Sequence, residues 1–473
     1  MKTNPATKES TVPQNPLGVD KITRLLPRFA IPSIISMVVN SLYNIVDQIF
    51  IGHIGEDVGY LGNAATNVAF PLVTIAMAIA LLIADGSAAF YSLKLGEKDS
   101  DGAARGAGSA ITLAAVTGFV FMLAGLLFLK PLLLLFGATP GVMPYALEYT
   151  RIILFGLPFV ILGITLNSLI RADGSPRFAM ISMLTGAVIN TVLDPLLIFG
   201  FGMGIRGAAI ATILGQIVSF CISACYLPRF HMVKMNRRRL RPDGKATRTL
   251  LSFGTSSFIN QLALTLVVIV MNNSLSHYGA MTEYGSDIPL SALGIVMKVN
   301  QILMSVIIGL SVGAQPIMGY NYGARQWSRV KKTYLLAVGV AVAVSCVGFV
   351  MFQFFPQIII ALFGQANEQY NRFAESCFRI YLLMCIPNAF QMVSSIFFQA
   401  IGKPVKATIL SLSRQVVFAV PLMLLLPLRF GLFGVLYAGP VTDTLAFVLA
   451  AVLIVLELRG LNRKIREELP RNV

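Results

Sequence analysis

The sequence predicts an all-α polytopic membrane protein, with twelve transmembrane helices in two parallel-repeat lobes of six. Three observations carry this. Of 473 residues, 56% are apolar and only 12% are charged. The apolar residues gather in separate runs of about 20 residues or more, the length that crosses a bilayer as a helix. Short motifs also recur in register about 227 positions apart, so the second half of the chain repeats the first.

The runs place spans at approximately 28–51, 66–93, 106–130, 146–170, 177–200, 206–228, 249–277, 289–320, 333–356, 376–401, 405–427 and 431–458. Residues 1–20 are polar and the first apolar run is long enough to span, so no cleavable leader is expected. Residues 1–27 and 459–473 are read as tails, 28–228 and 249–458 as the lobes, and 229–248 as a basic linker. An even span number puts both termini on one side. Lys and Arg concentrate there, which predicts a cytoplasmic (inner) membrane protein with both termini and the linker in the cytoplasm. Topology therefore accounts for the net charge of +16, and no nucleic-acid partner is expected. The linker, with Lys234, Arg237, Arg238, Arg239, Arg241, Lys245 and Arg248, reads as a stop signal between halves, with anionic lipid as the other candidate contact.

In chain order, span 1 carries Pro32 near its middle and Asp47 near its far end. Pro32 leaves the Arg28 carbonyl without its helical partner, which favours either a hinge or a fixed kink. Span 2 ends in Gly86-Ser-Ala-Ala-Phe-Tyr-Ser-Leu-Lys-Leu-Gly96, with Asp85 just before it, where backbone amides or loop cations are its expected partners. Span 5 holds Asn190 and Asp194 one turn apart, with Pro195 behind the acid. Positions i and i+4 share a helix face. A carboxylate in an apolar span costs roughly 2.5–3.5 kcal/mol on insertion scales, so it marks an ion or proton path. Span 6 opens on Gly204-Ile-Arg-Gly207 and carries Thr212. In the second half, Lys298 lies toward the far side of span 8, and Arg414 and Asp443 on spans 11 and 12 read as a structural ion pair. Cys221 and Cys225 read as small buried hydrophobes, and the five cysteines show no metal or disulfide spacing.

Counted from the helix ends at 1.5 Å per residue, Asp47, Asp194 and Thr212 all lie roughly 6–9 Å inside the far boundary. Groups at one depth can share a site. Asp47, Asn190, Asp194 and Thr212 are therefore the candidate coupling site for a proton or a sodium ion. The repeat supplies a control: Ser274, Val417, Pro421 and Gly439 stand at the corresponding positions of the second half. A scaffold role would call for acids in both halves. Their presence in one favours function.

Tyr43, Phe155, Phe159, Met180, Met183, Met297, Lys298 and Met304 are candidates for a cavity accepting flat, lipophilic compounds, since methionines and aromatics adapt to many shapes. No Walker motif, no His-Glu-x-x-His and no paired Asp-rich motif appears, and the three histidines (His53, His231, His277) sit near span ends or in loops. No enzyme, no cofactor and no resident metal is expected. The partners are small molecules and membrane lipids, and a monomer is expected. Duplicated helical carriers bind substrate between halves and alternate by rocking them.

These residues resemble the MATE family, the multidrug and toxic compound extrusion transporters, over about residues 20 to 460. The specific stretch is Gly309-Leu-Ser-Val-Gly-Ala-Gln-Pro-Ile-Met-Gly-Tyr-Asn-Tyr-Gly-Ala324, similar to the family's span 8 signature. The ends of spans 4 and 10, Arg171-Ala-Asp-Gly174 and Gln399-Ala-Ile-Gly-Lys403, are similar to its paired helix-end motifs. The resemblance implies a cleft facing outward and export of organic cations and drugs against H+ or Na+. It also implies that Asp47, Asn190, Asp194 and Thr212 match the first-lobe cation residues of prokaryotic members, and that Pro32 matches a span 1 proline where that helix bends. Span 7 departs from the branch with an acid there: it offers Asn260, Gln261, Asn272 and Asn273 instead. A lipid-linked precursor flippase is the alternative on the same scaffold; an integral-membrane enzyme, which would need clustered catalytic residues, is disfavoured.

Overall fold

A computed structural model describes residues 15–52, 56–233, 241–285, 287–362 and 368–468, with the side chains of 48, 49, 52, 56–64, 287, 362 and 468 left aside. His53 and the linker positions Lys234 and Arg237 to Arg239 lie outside the described residues. Every expected span is a helix. In order they are Ile22–Gly52, Glu56–Gly96, Ser100–Leu127, Met143–Ala172, Pro176–Gly200, Gly204–Ala224, Gly244–Gly279, Asp287–Gly323, Trp327–Phe354, a broken span 10, Pro404–Phe430 and Leu432–Glu468. Span 10 is Glu368–Tyr381 followed by Cys385–Ala400, bent by 49° between them. Eleven unbroken helices are long and apolar enough to cross a membrane, and the bent pair makes the twelfth.

The helix ends show the internal repeat as geometry. Gly174 and Gly402 precede spans 5 and 11 at φ +93° and +70°, each followed by a first-turn proline, Pro176 or Pro404. Gly204 and Gly431 open spans 6 and 12 at φ +54° and +55°. A side chain at any of these four would be strained, because L-residues avoid positive φ. Three residues on, a Cβ at Gly207 would sit 2.8 Å from the Leu197 carbonyl carbon, and one at Gly434 would sit 2.6 Å from that of Leu426. The same two turns are built twice.

The buried clusters show how the halves meet. At the end where the termini lie, they are shared. Leu25, Leu26, Phe29 and Ala30 of span 1 pack with Leu310, Ala314, Phe397 and Ile454 of the second half. Reciprocally, Ala246 and Leu250 of span 7 pack with Tyr91, Ala107 and Leu169 of the first half. At the opposite end, each cluster stays within its own half, as Leu72, Leu154 and Ala209 in one and Leu275, Val296 and Leu436 in the other. The lobes are joined at the terminus end and separate at the far end. Glycines permit the joint: a Cβ on Gly254 would lie 1.8 Å from the Leu82 carbonyl oxygen, and one on Gly86 2.0 Å from that of Leu250.

Asp173, at the end of span 4, closes the terminus end of the first half. Its oxygens accept from Tyr91 Oη (2.5 Å), Tyr226 Oη (2.9 Å), the His231 amide (2.7 Å) and the Met232 amide (3.1 Å). Burial pushes its carboxyl above the ordinary value, and these four donors pull it back. Asp173→Ala is expected to cost about 3 kcal/mol, leaving buried donors unsatisfied. Faster tryptic cleavage after Arg229 is the readout, and an unchanged digestion pattern would refute this anchoring.

Two expectations are corrected here. Cys221 and Cys225 are exposed on the outer face of span 6, because the inner face of that helix is taken by glycine and serine against span 5. Asp85 bonds a hydroxyl in place of backbone amides, and the cation within its electrostatic reach is Arg171 at the end of span 4, not one in a loop. Its Oδ2 accepts from Ser257 Oγ of span 7 at 2.7 Å, because the Gly86–Gly254 crossing brings that hydroxyl against it.

Candidate cation site in the first lobe

Spans 5 and 6 cross where two glycines meet: a Cβ on Gly186 would lie 2.7 Å from the Gly215 carbonyl oxygen, and one on Gly215 2.6 Å from that of Gly186. One turn along, the same crossing presses Asn190 against span 6. Asn190 Nδ2 then lies 3.3 Å from Asp194 Oδ1 and 3.4 Å from Thr212 Oγ1. Span 1 packs on spans 5 and 6, through Ile51 against Ile198 and Ala208, and brings the Asp47 carboxyl within hydrogen-bonding reach of Asp194. All four candidate residues converge.

The helix beyond Asp194 is irregular for a stated reason. Pro195 has no amide proton, and the chain passes into a wider, π-helical turn over Leu196–Gly200. Glycine Gly207 then packs directly on the Leu197 carbonyl.

Three oxygens here are buried without a hydrogen-bond donor: Asp47 Oδ1, Asn190 Oδ1 and Asp194 Oδ2. Asp194 is 0% exposed and Asn190 3%. Two carboxylates in contact repel, and orphaned acceptors are costly in a low-dielectric setting. A shared proton or a hard cation with oxygen ligands resolves both problems. The donor set is all oxygen, which suits either occupant. No group of three or more His, Cys, Asp or Glu side chains with metal-holding geometry occurs among the described residues.

Tyr43 and Tyr149 stand within electrostatic reach of both acids. Tyr43 was a candidate for the drug cavity; Tyr149 on span 4 escaped the sequence reading. Its type and position are common in membrane helices, so depth in the span was the only available signal. The other cavity candidates disperse. Phe155 is 52% exposed, and Phe159 packs on Phe220 at 5.6 Å. Met297 packs against the second-lobe cluster and Met304 against the shared one. Met180, Met183 and Lys298 are half-buried. On span 7, Asn260 and Gln261 are half-buried, and Asn272 and Asn273 are exposed. Arg414 and Asp443 do pair, Nε to Oδ1 at 2.9 Å.

A family model described as MatE matches residues 32–196 and 257–425. A multidrug export protein, MepA of Staphylococcus aureus (strain MRSA252), is 26% identical over 447 residues, covering 93% of this chain and 94% of that protein. The same-named protein of Staphylococcus saprophyticus is 24% identical over 432 residues. Among solved structures, a MATE protein in complex with MaL6 superposes with a TM-score of 0.88 at 23% identity, covering 95% of this chain and 99% of that one. The outward-facing conformation of a multidrug resistance MATE family transporter superposes at 0.87 and 23% identity, covering 94% and 98%.

Proposed function

The chain belongs to the MatE family, and from that premise we propose that it is a multidrug exporter coupled to a cation at Asp47, Asn190, Asp194 and Thr212. It is a multi-pass membrane protein, a transporter and not an enzyme. The observation that carries the coupling site is the contact of two carboxylates which, with Asn190, present three buried oxygens that lack donors. In this reading the substrates are amphipathic, mostly cationic drugs, and the protein works as a monomer in the cytoplasmic membrane with its termini inside. Residues 28–228 and 249–458 form the lobes, 229–248 the linker, and the ends the tails.

The shared clusters then form the cytoplasmic seal, and the gap between the halves at the far end becomes the outward cleft through which drug leaves.

 The far-end clusters, each confined to one lobe, flank that cleft. Span 1 links the two regions. Its first half is packed in the second lobe, with Gly309 and Gly313 of span 8 pressed against the backbone of Ile34 and Ala30. Its last turns belong to the first lobe. Pro32 sits within the part packed on span 8, below the turns that carry Asp47, and bending there would move Asp47 relative to the seal, so we assign it the hinge. Occupation of the acids by a cation removes their repulsion, and the resulting shift of span 1 expels drug outward. Of the cavity candidates, Tyr43 gains support from its place beside Asp47; Phe155, Phe159, Met180, Met183, Met297, Lys298 and Met304 remain proposed lining only. The flippase alternative loses ground, because Asp443 neutralises Arg414 and leaves Lys298 as its single intramembrane cation of the two.

The test is transport of a fluorescent organic cation in proteoliposomes with either a sodium or a pH gradient imposed alone. One of the two is expected to drive transport. Equal, gradient-independent rates under both conditions would sink the coupled mechanism.

A further inference from the structure

The second lobe contains a polar cavity of its own, lined entirely by residues of the second half. Its volume is about 40 Å³, and spans 7, 8, 10, 11 and 12 all contribute to its wall. Three oxygens in that wall have no hydrogen-bond partner: the amide oxygens Asn300 Oδ1 and Asn388 Oδ1, and the hydroxyl Thr442 Oγ1, which can accept or donate. Asn388 is 5% exposed and Thr442 4%. Among the described residues the Asn388 amide nitrogen makes one weak bond, to Met304 Sδ at 3.9 Å, and its oxygen makes none. Beside them stands Asp443, held through Oδ1 by Arg414. Arg414 lies in a π-helical stretch, Ser413–Ala419, and such a widened turn re-aims side chains and recurs at functional sites.

We propose that this cavity is a second binding site, for the protonated primary amine of an organic compound, with Arg414 as a tethered competitor for Asp443. The chemistry selects the ligand. Unsatisfied acceptors demand a donor, and an anion beside two bare amide oxygens and the Asp443 carboxylate would be repelled. An ammonium carries three N–H donors, matching the three acceptors in number, and its charge needs a carboxylate. Asp443 supplies one once the guanidinium swings away. The space suits a headgroup: one water needs about 10–15 Å³ of such space, so the cavity admits an ammonium or a few waters and no ring system. The apolar part of the ligand must therefore lie outside it. A primary amine fits where a trimethylammonium, larger and without donors, does not.

The test is equilibrium binding to the full-length protein in lipid nanodiscs, with no gradient, so its outcome is separate from that of the coupling site. The probes are dansylcadaverine, which has a primary ammonium, and its N,N,N-trimethyl analogue. Thr442→Val and Asn388→Leu are each expected to weaken the primary amine by about tenfold, the worth of one charge-assisted hydrogen bond, and to leave the trimethyl analogue within about twofold. Arg414→Gln is expected to tighten the primary amine by a similar factor, and Arg414→Gln/Asp443→Asn to abolish that gain. If Arg414→Gln fails to fold, the Thr442→Val comparison decides alone. Unchanged affinity for the primary amine in Thr442→Val and Asn388→Leu, or equal losses for both probes, would overturn the proposal. Waters alone in the cavity predict the first of those results.

Discussion

Asp194→Asn is expected to reduce gradient-driven export by about two orders of magnitude, because a charged ligand contact is worth about 3 kcal/mol and each 1.4 kcal/mol is tenfold. The substitution keeps shape and removes charge. Asn190 Nδ2 lies 3.3 Å from Asp194 Oδ1, and an amide oxygen in that place still accepts from it, so the fold should persist. What disappears is the repulsion with Asp47 and the affinity for a proton or cation. Binding of drug without a gradient should change little, while the response to the imposed gradient vanishes. Asp47→Asn is expected to match it, since the two acids act as one unit. Their double variant should be no worse than either alone, as expected of residues in direct contact. Wild-type rates from both single variants at normal membrane levels would remove the coupling site from consideration.

The second large effect is expected at the seal. Gly254→Ala places a Cβ 1.8 Å from the Leu82 carbonyl oxygen, a backbone atom that cannot rotate aside. Spans 2 and 7 must then separate, and overpacking of this kind costs about 1–3 kcal/mol or more. The same displacement takes Ser257 from Asp85 and disturbs the Gln399 bonds to Ser257 Oγ (3.1 Å) and the Phe253 carbonyl (3.1 Å). Lower thermal stability in detergent, and export reduced by about tenfold or more, are the expected readings. Gly339→Ala is the control: open space surrounds it on span 9, and its stability should stay within about 0.5 kcal/mol of wild type. A Gly254→Ala protein that melts and transports as wild type would show that the seal is looser than this packing implies.

Much of the site was legible because membrane helices make polar residues conspicuous. Asp47, Asn190, Asp194 and Thr212 stand out against apolar neighbours, and rise per residue gives their depth without any tertiary information. Helix ends were legible for a similar reason, since Gly174, Gly402, Gly204 and Gly431 mark turns by residue type. Asp85 was misjudged because its partner, Ser257, is 172 residues away on another span. Tyr149 and the second-lobe acceptors were missed because tyrosine and asparagine also occur in ordinary packing, and convergence is not written in one helix.

The sequence by itself therefore determined the twelve spans, the internal repeat and the depth of the first-lobe acids, all of which depend on local composition and periodicity. Only the tertiary structure decided which faces meet. Depth is a one-dimensional quantity that hydropathy and helical rise supply. Rotation about the helix axis and the choice of neighbour are set by close packing, here by glycine crossings such as Gly186 on Gly215 and Gly254 on Leu82. Those crossings bring Asn190 to Thr212 and seal the lobes at one end.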